Sequence, residues 1–365
     1  MPSPDIPAAP PSDAALADYF AYLRGNFAAV ADRLGGTARD FSIAGRPVRV
    51  HLAGSELLHL ARPLSHLASI RDDSPSGELP LEIFAWESTA SGLLPEPPSW
   101  DLRNLLPRGE IAGLSSAEFA VNFTSDHCLL AMFQRSTRRA IYWLPRAADL
   151  PYWETAAPFR TIFHWWGTTF GGQLVHAAAV GKCGRGVLLV GRGGSGKSTT
   201  ALLAVEAGLD YVGDDYVLLT SDPQPTAHSL YHSAKMHTAF LRATVPHWQS
   251  RVAAEIGPER KSLFFLHESR PDQVIRQLSL QAILHPRVTT HSAASLQPAR
   301  ASAALLAAAP STMYQLPDAR QATLSFLADL TRRLPAHSLL LGKDLLSGPR
   351  QIAALLDAER TYRAA

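Results

Sequence analysis

The feature that most constrains this 365-residue chain is a glycine-rich loop between a short apolar run and a helical pattern. The run Gly186–Val190 predicts a buried strand, and the residues from Ser198 to Ala207 predict a helix that Gly208 ends. The loop between them reads GRGGSGKS and fits the spacing GxxxxGK[ST]. A chain with this order of elements is expected to contain an α/β domain.

The loop has the residue types that bind the phosphates of a nucleotide. Glycines let the backbone approach closely, so that successive N–H groups and the start of the helix face phosphate oxygens. Lys197 is expected to contact the β- and γ-phosphates, and the hydroxyl of Ser198 is expected to bind Mg²⁺. We therefore predict ATP and Mg²⁺ as cofactors. The predicted nucleotide-binding residues are Gly191, Gly193, Gly194, Ser195, Gly196, Lys197, Ser198 and Thr199.

Two adjacent aspartates are candidates for the chemistry at the phosphates. Asp214 and Asp215 follow Lys197 by 17 and 18 residues, at the end or in a kink of the strand region Asp210–Leu219. We expect that strand to lie beside the strand that precedes the loop. Burial, Mg²⁺ and a like-charged neighbour can together give one carboxylate the pKa of a general base. A solvated turn is the alternative interpretation of the pair.

His176 and Lys235 are weaker candidates. His176 lies 21 residues before Lys197, in the strand-like run Leu174–Val180. A single histidine in such a run is more often a core residue with satisfied hydrogen bonds. Lys235 follows the aspartate pair and could supply positive charge to a transferring phosphoryl group. Equally, its stem could cover the core while its ammonium group meets solvent.

The first half of the chain has no motif of this kind. Residues 1–13, with five prolines, are expected to form a disordered lead-in, and Ala14–Leu34 has the apolar spacing of a helix. Short apolar runs up to about residue 150 predict an antiparallel sheet. We predict an α+β domain over residues 14–157, with a role in substrate recognition, and a second domain over 158–365. The predicted strands of the first domain are 48–53, 81–86, 119–123, 129–133 and 140–144.

The composition limits the classes of binding partner and the cellular compartment that we expect for this protein. Thirty-four basic and thirty-two acidic residues leave a net charge of +2 without runs of like charge, so we predict no nucleic-acid partner. Uncharged stretches fall short of the ~20 residues that cross a bilayer, so we predict no membrane association. Cys128 and Cys183 are isolated, and the first residues lack a secretory signal. We expect a cytoplasmic protein, and a homo-oligomer is left open.

From Gly172 to Leu219 the chain resembles the HPr kinase family. It is most similar to the HPr-kinase-like serine kinases of peptide-modification clusters, including lasso-peptide kinases. The resemblance is carried by His176, the glycine-rich loop, the pair Asp214–Asp215 and their spacings, and it extends loosely to about residue 358. It implies that residues 158–365 form an ATP-binding catalytic domain with the P-loop fold of HPr kinase and PEP carboxykinase, preceded by a smaller α+β domain.

The resemblance also implies a reaction, the transfer of the γ-phosphoryl group of ATP to a hydroxyl, above all a serine of a peptide or protein. It implies that Asp214 takes the hydroxyl proton and that Asp215 lies on the metal side with Ser198. His176 would tune or position the base. Around Lys235 the chain lacks the acidic signature of bifunctional HPr kinase/phosphorylases, so HPr as substrate and the reverse reaction are not carried over. A sugar or polyol kinase and a nucleotide-sensing regulator without transfer activity are the alternatives.

Overall fold

The computed structural model describes residues 11–69, 78–98, 100, 102–318 and 321–364. Most of the expected lead-in falls outside the described residues, and Asp13 already begins the first helix. The chain divides into two compact units. The first contains the described residues within 1–62, 68–169 and 316–318, and the second those within 63–67, 170–315 and 319–365. The first unit thus runs to Thr169, whereas the sequence analysis placed the boundary at residue 157.

The first unit consists of a six-stranded sheet covered by a helix. The helix α1 (Asp13–Leu34) buries Leu16, Phe20, Leu23 and Val30, which recur at the helical spacing. The strands follow in the spatial order β1-β2-β3-β6-β5-β4, and a second helix ends the unit's main segment. The bounds are β1 (Gly36–Ile43), β2 (Arg46–Ala53), β3 (Leu81–Glu87), β4 (Phe119–Thr124), β5 (Leu129–Gln134), β6 (Arg139–Leu144) and α2 (Arg160–Thr168).

The prediction that this sheet is antiparallel was wrong in part. β2 pairs with β3, and β3 with β6, in parallel, whereas the pairs β1–β2, β4–β5 and β5–β6 are antiparallel. Parallel neighbours require a long connection, and residues 54–80 between β2 and β3 provide one. The strand β1 was not predicted at all.

The second unit is built around a nine-stranded mixed sheet. Its path is β10-β8-β9-β16-β12-β11-β7, with β18 parallel to β16 and β17 paired to β18. The bounds are β7 (Gln173–Val175), β8 (Ala178–Lys182), β9 (Arg185–Leu189), β10 (Asp210–Gly213), β11 (Val217–Thr220), β12 (Thr226–His228), β16 (Gln277–Val288), β17 (Ser295–Ala299) and β18 (Ala336–Leu341). A separate sheet contains β13 (Ser233–His237), β14 (Ala254–Ile256) and β15 (Lys261–Phe265).

Helices cover both faces of the large sheet. Val187 and Leu189 of β9 pack in one core cluster with residues of α3 and α8, while Leu188 and Val190 pack in another with residues of α6 and α7. Because both faces are buried, the strand is apolar throughout. The helices are α3 (Lys197–Glu206), α4 (Thr238–Thr244), α5 (Leu266–Ser269), α6 (Ala301–Gln315), α7 (Gln321–Arg333) and α8 (Ser347–Ala364).

Short 3₁₀ helices complete the described chain. They span Leu58–Leu67, Leu102–Asn104, Ser125–His127, Ala147–Asp149, Pro246–Arg251 and Pro271–Gln273. In the described part of the chain, no helix combines the length and the apolar character that crossing a membrane requires.

The prediction of which strand lies beside β9 was also wrong. β9 lies between β8 and β16, and β10, which ends just before the aspartate pair, is separated from it by β8. The reason is local, because β8 and β9 form a tight antiparallel hairpin through Cys183 and Gly184. β8 thus occupies one side of β9 and β16 the other, which leaves no place for the later strand beside it.

Candidate active site

The glycine-rich loop joins the end of β9 to the start of α3. Gly194 and Gly196 have φ angles of +79° and +103°, which residues with a side chain rarely adopt. A Cβ atom at Gly196 would also lie 2.6 Å from the Cδ1 atom of Leu341 on β18. These two glycines let the chain turn into α3, which begins at Lys197. The N–H groups at the start of α3 can therefore donate hydrogen bonds to a bound anion.

The ammonium group of Lys197 is folded onto this loop. Its Nζ atom donates hydrogen bonds to the carbonyl oxygens of Gly191, at 2.6 Å, and Arg192, at 3.3 Å. The residue is only 5% exposed, and burial lowers the pKa of the ammonium group although Asp214 and Asp215 oppose that shift. A buried cation whose hydrogen-bond partners in the described chain are carbonyl oxygens is suited to bind phosphate oxygens.

The first aspartate of the pair faces the loop. The hydroxyl of Ser198 donates a hydrogen bond of 2.9 Å to Oδ1 of Asp214. The carboxylate is buried, and among the described residues its Oδ2 atom has no hydrogen-bond partner. Burial and the neighbouring charge of Asp215 raise the pKa of Asp214 to about 6. A carboxylate with this pKa can accept a proton near neutral pH.

The second aspartate has different partners. Asp215 forms an ion pair with Lys235 of β13, and its Oδ1 atom lies 3.8 Å from Nε2 of His176. Burial alone would raise the pKa of Asp215, but Lys235 and His176 outweigh burial and hold that pKa well below its usual value. The same ion pair raises the pKa of Lys235, although burial opposes it. Asp215 is therefore held ionised.

The backbone explains why adjacent carboxylates serve different partners. The pairing of β10 with β8 is irregular between Tyr211 and Gly213, and β11 begins only at Val217. Between these strands, Asp215 has a left-handed φ of +69°, a conformation that aspartate tolerates better than most residues. The pair thus lies in a kink, as the sequence predicted, and the kink turns the two side chains toward different neighbours.

His176 is not part of a continuous strand, in contrast to the prediction. It falls in the break between β7 and β8, where its N–H group donates a 3.1 Å hydrogen bond to the hydroxyl of Thr312. Its Nδ1 atom lies 3.5 Å from the side-chain nitrogen of Gln315, and that amide oxygen accepts a 2.7 Å hydrogen bond from the hydroxyl of Tyr216. Thr312, Gln315 and Tyr216 were missed by the sequence analysis, because none of them belongs to a motif.

The structure therefore brings the predicted chemistry together. Ser198 contacts Asp214, while His176 and Lys235 both contact Asp215, the next residue along the chain. The remaining predicted residues lie in or directly beside the same loop: Gly191, Gly193, Gly194, Ser195, Gly196, Lys197 and Thr199. Among the described residues the hydroxyl of Ser195 is buried without a hydrogen-bond partner. A phosphate oxygen cannot donate to it, but it can accept from it.

The oxygen atoms of this cluster fit a magnesium ion that arrives with a nucleotide. In the described part of the chain, no three His, Cys, Asp or Glu side chains are grouped so as to hold a metal ion. However, Mg²⁺ is usually held by one or two carboxylates together with substrate phosphates and waters. The hydroxyl of Ser198 and the unpartnered oxygen of Asp214 are hard donors of this kind.

Comparison with known proteins adds a structural likeness. No protein-family model matches the chain, and no curated protein matches its sequence. Among solved structures, the Hpr(Ser) kinase/phosphatase from Coxiella burnetii superposes with a TM-score of 0.30 and 13% sequence identity. The match covers 53% of this chain and 99% of that one.

Proposed function

We propose that this protein transfers the γ-phosphoryl group of ATP to a hydroxyl group in a Mg²⁺-dependent reaction. The observation that carries the proposal is the contact of 2.9 Å between Ser198, at the start of α3, and Asp214. It places a buried carboxylate with a pKa of about 6 at the loop that would bind the triphosphate. Phosphoryl transfer needs such a loop, balancing positive charge and a group that orients the attacking hydroxyl.

In this mechanism the residues of the loop bind and orient the triphosphate. Lys197 exchanges the carbonyl oxygens of Gly191 and Arg192 for phosphate oxygens, and its charge offsets the charge of the transferring group. Bound Mg²⁺ would neutralise further phosphate charge, with Ser198 among its ligands. Asp214 accepts the proton of the acceptor hydroxyl at Oδ2. Lys235 and His176 keep Asp215 ionised beside it.

One contact favours an alternative assignment, in which the roles of the two aspartates are exchanged. Ser198 touches Asp214, which makes Asp214 and not Asp215 the carboxylate nearest the predicted Mg²⁺ ligand. Asp215 is also partly exposed, whereas Asp214 is buried, so a hydroxyl can reach Asp215 more easily. In that assignment Asp214 holds the metal ion with Ser198, and Asp215 orients the acceptor.

We further propose a serine of a peptide or protein as the acceptor, on the sequence resemblance. A sugar or polyol kinase would use the same residues with a different acceptor. A regulator that only senses nucleotide would need the loop, but it would not need a buried pair of aspartates with His176 and Lys235 around it. The second carboxylate and its two partners therefore favour an enzyme over a sensor.

Transfer is tested by incubating the protein with γ-labelled ATP and Mg²⁺ in the presence of serine peptides, sugars and polyols. Transfer of label to a peptide serine supports the full proposal, and transfer to a sugar or polyol keeps the chemistry but replaces the acceptor. Binding of ATP without transfer to any acceptor in the panel would contradict the enzyme assignment and favour the sensor. Lys197→Ala serves as the inactive control in each reaction.

The two aspartate roles are separated by Asp214→Asn and Asp215→Asn. If Asp214 is the base, Asp214→Asn binds MgATP normally but transfers about 10²- to 10⁴-fold more slowly. If Asp214 holds the metal ion, the same variant loses the Mg²⁺-dependent part of its ATP affinity, and Asp215→Asn shows the selective loss of rate. Isothermal titration with and without Mg²⁺ and single-turnover transfer distinguish the two patterns.

A further inference from the structure

One neighbour of the His176 ring is an ionised carboxylate, which can only accept a hydrogen bond. Nε2 of the ring faces Oδ1 of Asp215 at 3.8 Å, and Lys235 holds that carboxylate ionised. On the opposite side, Nδ1 faces the side-chain amide of Gln315 at 3.5 Å. His176 is 7% exposed, so water does not decide where the ring carries its proton. These two neighbours decide it.

The amide of Gln315 could face the ring in two ways. With its oxygen toward Tyr216, it accepts the 2.7 Å hydrogen bond of the tyrosine hydroxyl and turns its NH₂ group toward Nδ1 of His176. An amide nitrogen only donates, so Nδ1 must then be an acceptor. The proton of the neutral ring is left on Nε2, where it faces the carboxylate of Asp215.

The flipped amide is electrostatically unfavourable. It would place its oxygen against Nδ1, so Nδ1 would carry the proton and Nε2 would present a lone pair to an ionised carboxylate. A doubly protonated ring would satisfy both sides, but burial and the neighbouring cations Lys197 and Lys235 oppose a positive charge there. Only the first orientation satisfies Tyr216, Gln315, His176 and Asp215 together.

We propose that Gln315, oriented by Tyr216, is a positioning residue that fixes the tautomer of His176 with its proton on Nε2, facing Asp215. Gln315 itself does not touch reacting atoms. It acts through His176, which then offers Asp215 a hydrogen-bond donor instead of a lone pair. The helix α6 thus contributes to the site, since Thr312 holds the backbone of His176 and Gln315 sets its ring. The inference deepens the proposed function, on which its catalytic consequence rests.

The tautomer is measured directly in the nucleotide-free protein. With ¹⁵N-labelled histidine, two-bond ¹H–¹⁵N spectra distinguish protonated from unprotonated ring nitrogens, and His176→Gln identifies the His176 signals by their absence. We expect Nε2 to be protonated and Nδ1 unprotonated in the wild type. In Gln315→Glu the carboxylate can only accept a hydrogen bond from the ring, so the Nδ1 signal should move to the position of a protonated nitrogen.

Matched variants keep this test decisive. Tyr216→Phe removes the hydroxyl that orients the amide and should weaken the preference for the Nε2 proton, which also serves if Gln315→Glu does not fold. Within the described chain, the hydroxyl of Ser311 on the same helix bonds only to the carbonyl of Ala308, so Ser311→Ala should leave the His176 signals unchanged. A wild-type ring with its proton on Nδ1, or Gln315→Glu signals identical to the wild type, would overturn the inference.

Failure of the inference and failure of the proposed function are separable. The spectra need neither nucleotide nor acceptor, so the tautomer can be established in a protein that transfers no phosphate. If transfer does occur, Gln315→Glu should lower kcat by about 10- to 100-fold, the usual range for partners one step from the reacting groups, while KM for ATP stays unchanged. A rise in KM without loss of kcat would contradict the positioning role.

Discussion

Lys197 shows how a single residue can be prepared for an anion before the anion binds. Among the described residues, its buried ammonium group bonds only to carbonyl oxygens of the loop, which carry partial and not full negative charge. Burying a cation in this way is unfavourable unless a stronger partner becomes available. A triphosphate is such a partner, so the nucleotide gains the attraction without a large rearrangement of the backbone.

Lys197→Ala should weaken MgATP binding at least tenfold. A hydrogen bond to a charged group contributes about 1.5–3 kcal/mol, and about 1.4 kcal/mol is tenfold in affinity. Isothermal titration calorimetry measures the loss. The matched control is Lys182→Ala, which removes another lysine of the same unit whose partner is the exposed Asp357. Affinity that does not differ between the two variants would contradict nucleotide binding at the loop.

Lys235→Met should destabilise the protein because it leaves Asp215 as a largely buried carboxylate without its cation. Breaking one side of a buried ion pair costs about 3–5 kcal/mol, and the pKa of Asp215 should rise. Urea unfolding gives the free energy. Adding Asp215→Asn to Lys235→Met removes the unpaired charge and should restore part of the stability. A double variant that is less stable than Lys235→Met would show that the pair is not coupled in this way.

At the scale of elements, the junction between the loop and α3 depends on backbone conformation more than on side chains. Gly196 ends the loop with a left-handed φ, and its missing Cβ leaves room for Leu341 of β18. The loop therefore rests on a strand that arrives more than a hundred residues later in the chain. The pattern GxxxxGK[ST] identifies the glycine but not the residue that packs on it.

Gly196→Ala should reduce both nucleotide affinity and stability, with a cost of about 1–3 kcal/mol for the strained backbone. Gly193→Ala is the matched control, because a Cβ at Gly193 would meet no atom within 4 Å and its φ is not positive. Thermal unfolding and MgATP titration of the two variants measure the difference. Equal behaviour of both variants would refute the conformational role of Gly196.

Elements with strong local patterns could be predicted from the sequence, and elements that depend on distant partners could not. The bounds of α1, β9 and α3 were predicted within one residue, since their apolar spacing and terminal glycines are local signals. The order of strands in the sheets was not predicted. The β8–β9 hairpin and the parallel pairing of β2 with β3 depend on the path of the connections between strands, which has no local sequence signal.

In the candidate site, too, residues with a local motif were predicted and residues that depend on distant packing were not. His176, Lys197, Ser198, Asp214, Asp215 and Lys235 were selected by residue type and spacing, and the structure brings them together. Thr312 and Gln315 carry no motif and lie more than a hundred residues after His176, so only the packing of α6 reveals their contacts. The sequence analysis gave Asp214 and Asp215 different roles, but it grouped Ser198 with Asp215, whereas the hydroxyl of Ser198 contacts Asp214.

At the scale of the whole molecule, stability should fall in mild acid. Burial lowers the pKa values of His164 and His228 to about 4. Because each folded pKa lies below the unfolded value of 6.5, the unfolded chain binds more protons as the pH drops. Stability is therefore complete above pH 6.5 and is lost toward pH 4. Each histidine should contribute a loss of about 2 kcal/mol between pH 7.5 and pH 5.

Urea unfolding at the two pH values measures this loss. In His228→Gln the pH-dependent part of the free energy of unfolding should shrink by the contribution of one histidine. An unchanged pH dependence in His228→Gln would show that this ring is not kept neutral by the fold.

The five residues 63–67 have a practical consequence for dissecting this molecule. They precede most of the first unit along the chain but belong to the second, where Ser65 bonds to His232 and His66 to Ser229. In return, residues 316–318 belong to the first unit, where the N–H group of Asp318 bonds to Glu110. If the chain is cut once, at residue 157 or 169, the N-terminal fragment lacks residues 316–318 and the C-terminal fragment lacks residues 63–67. Recombinant halves should therefore be designed as permuted or co-expressed pieces.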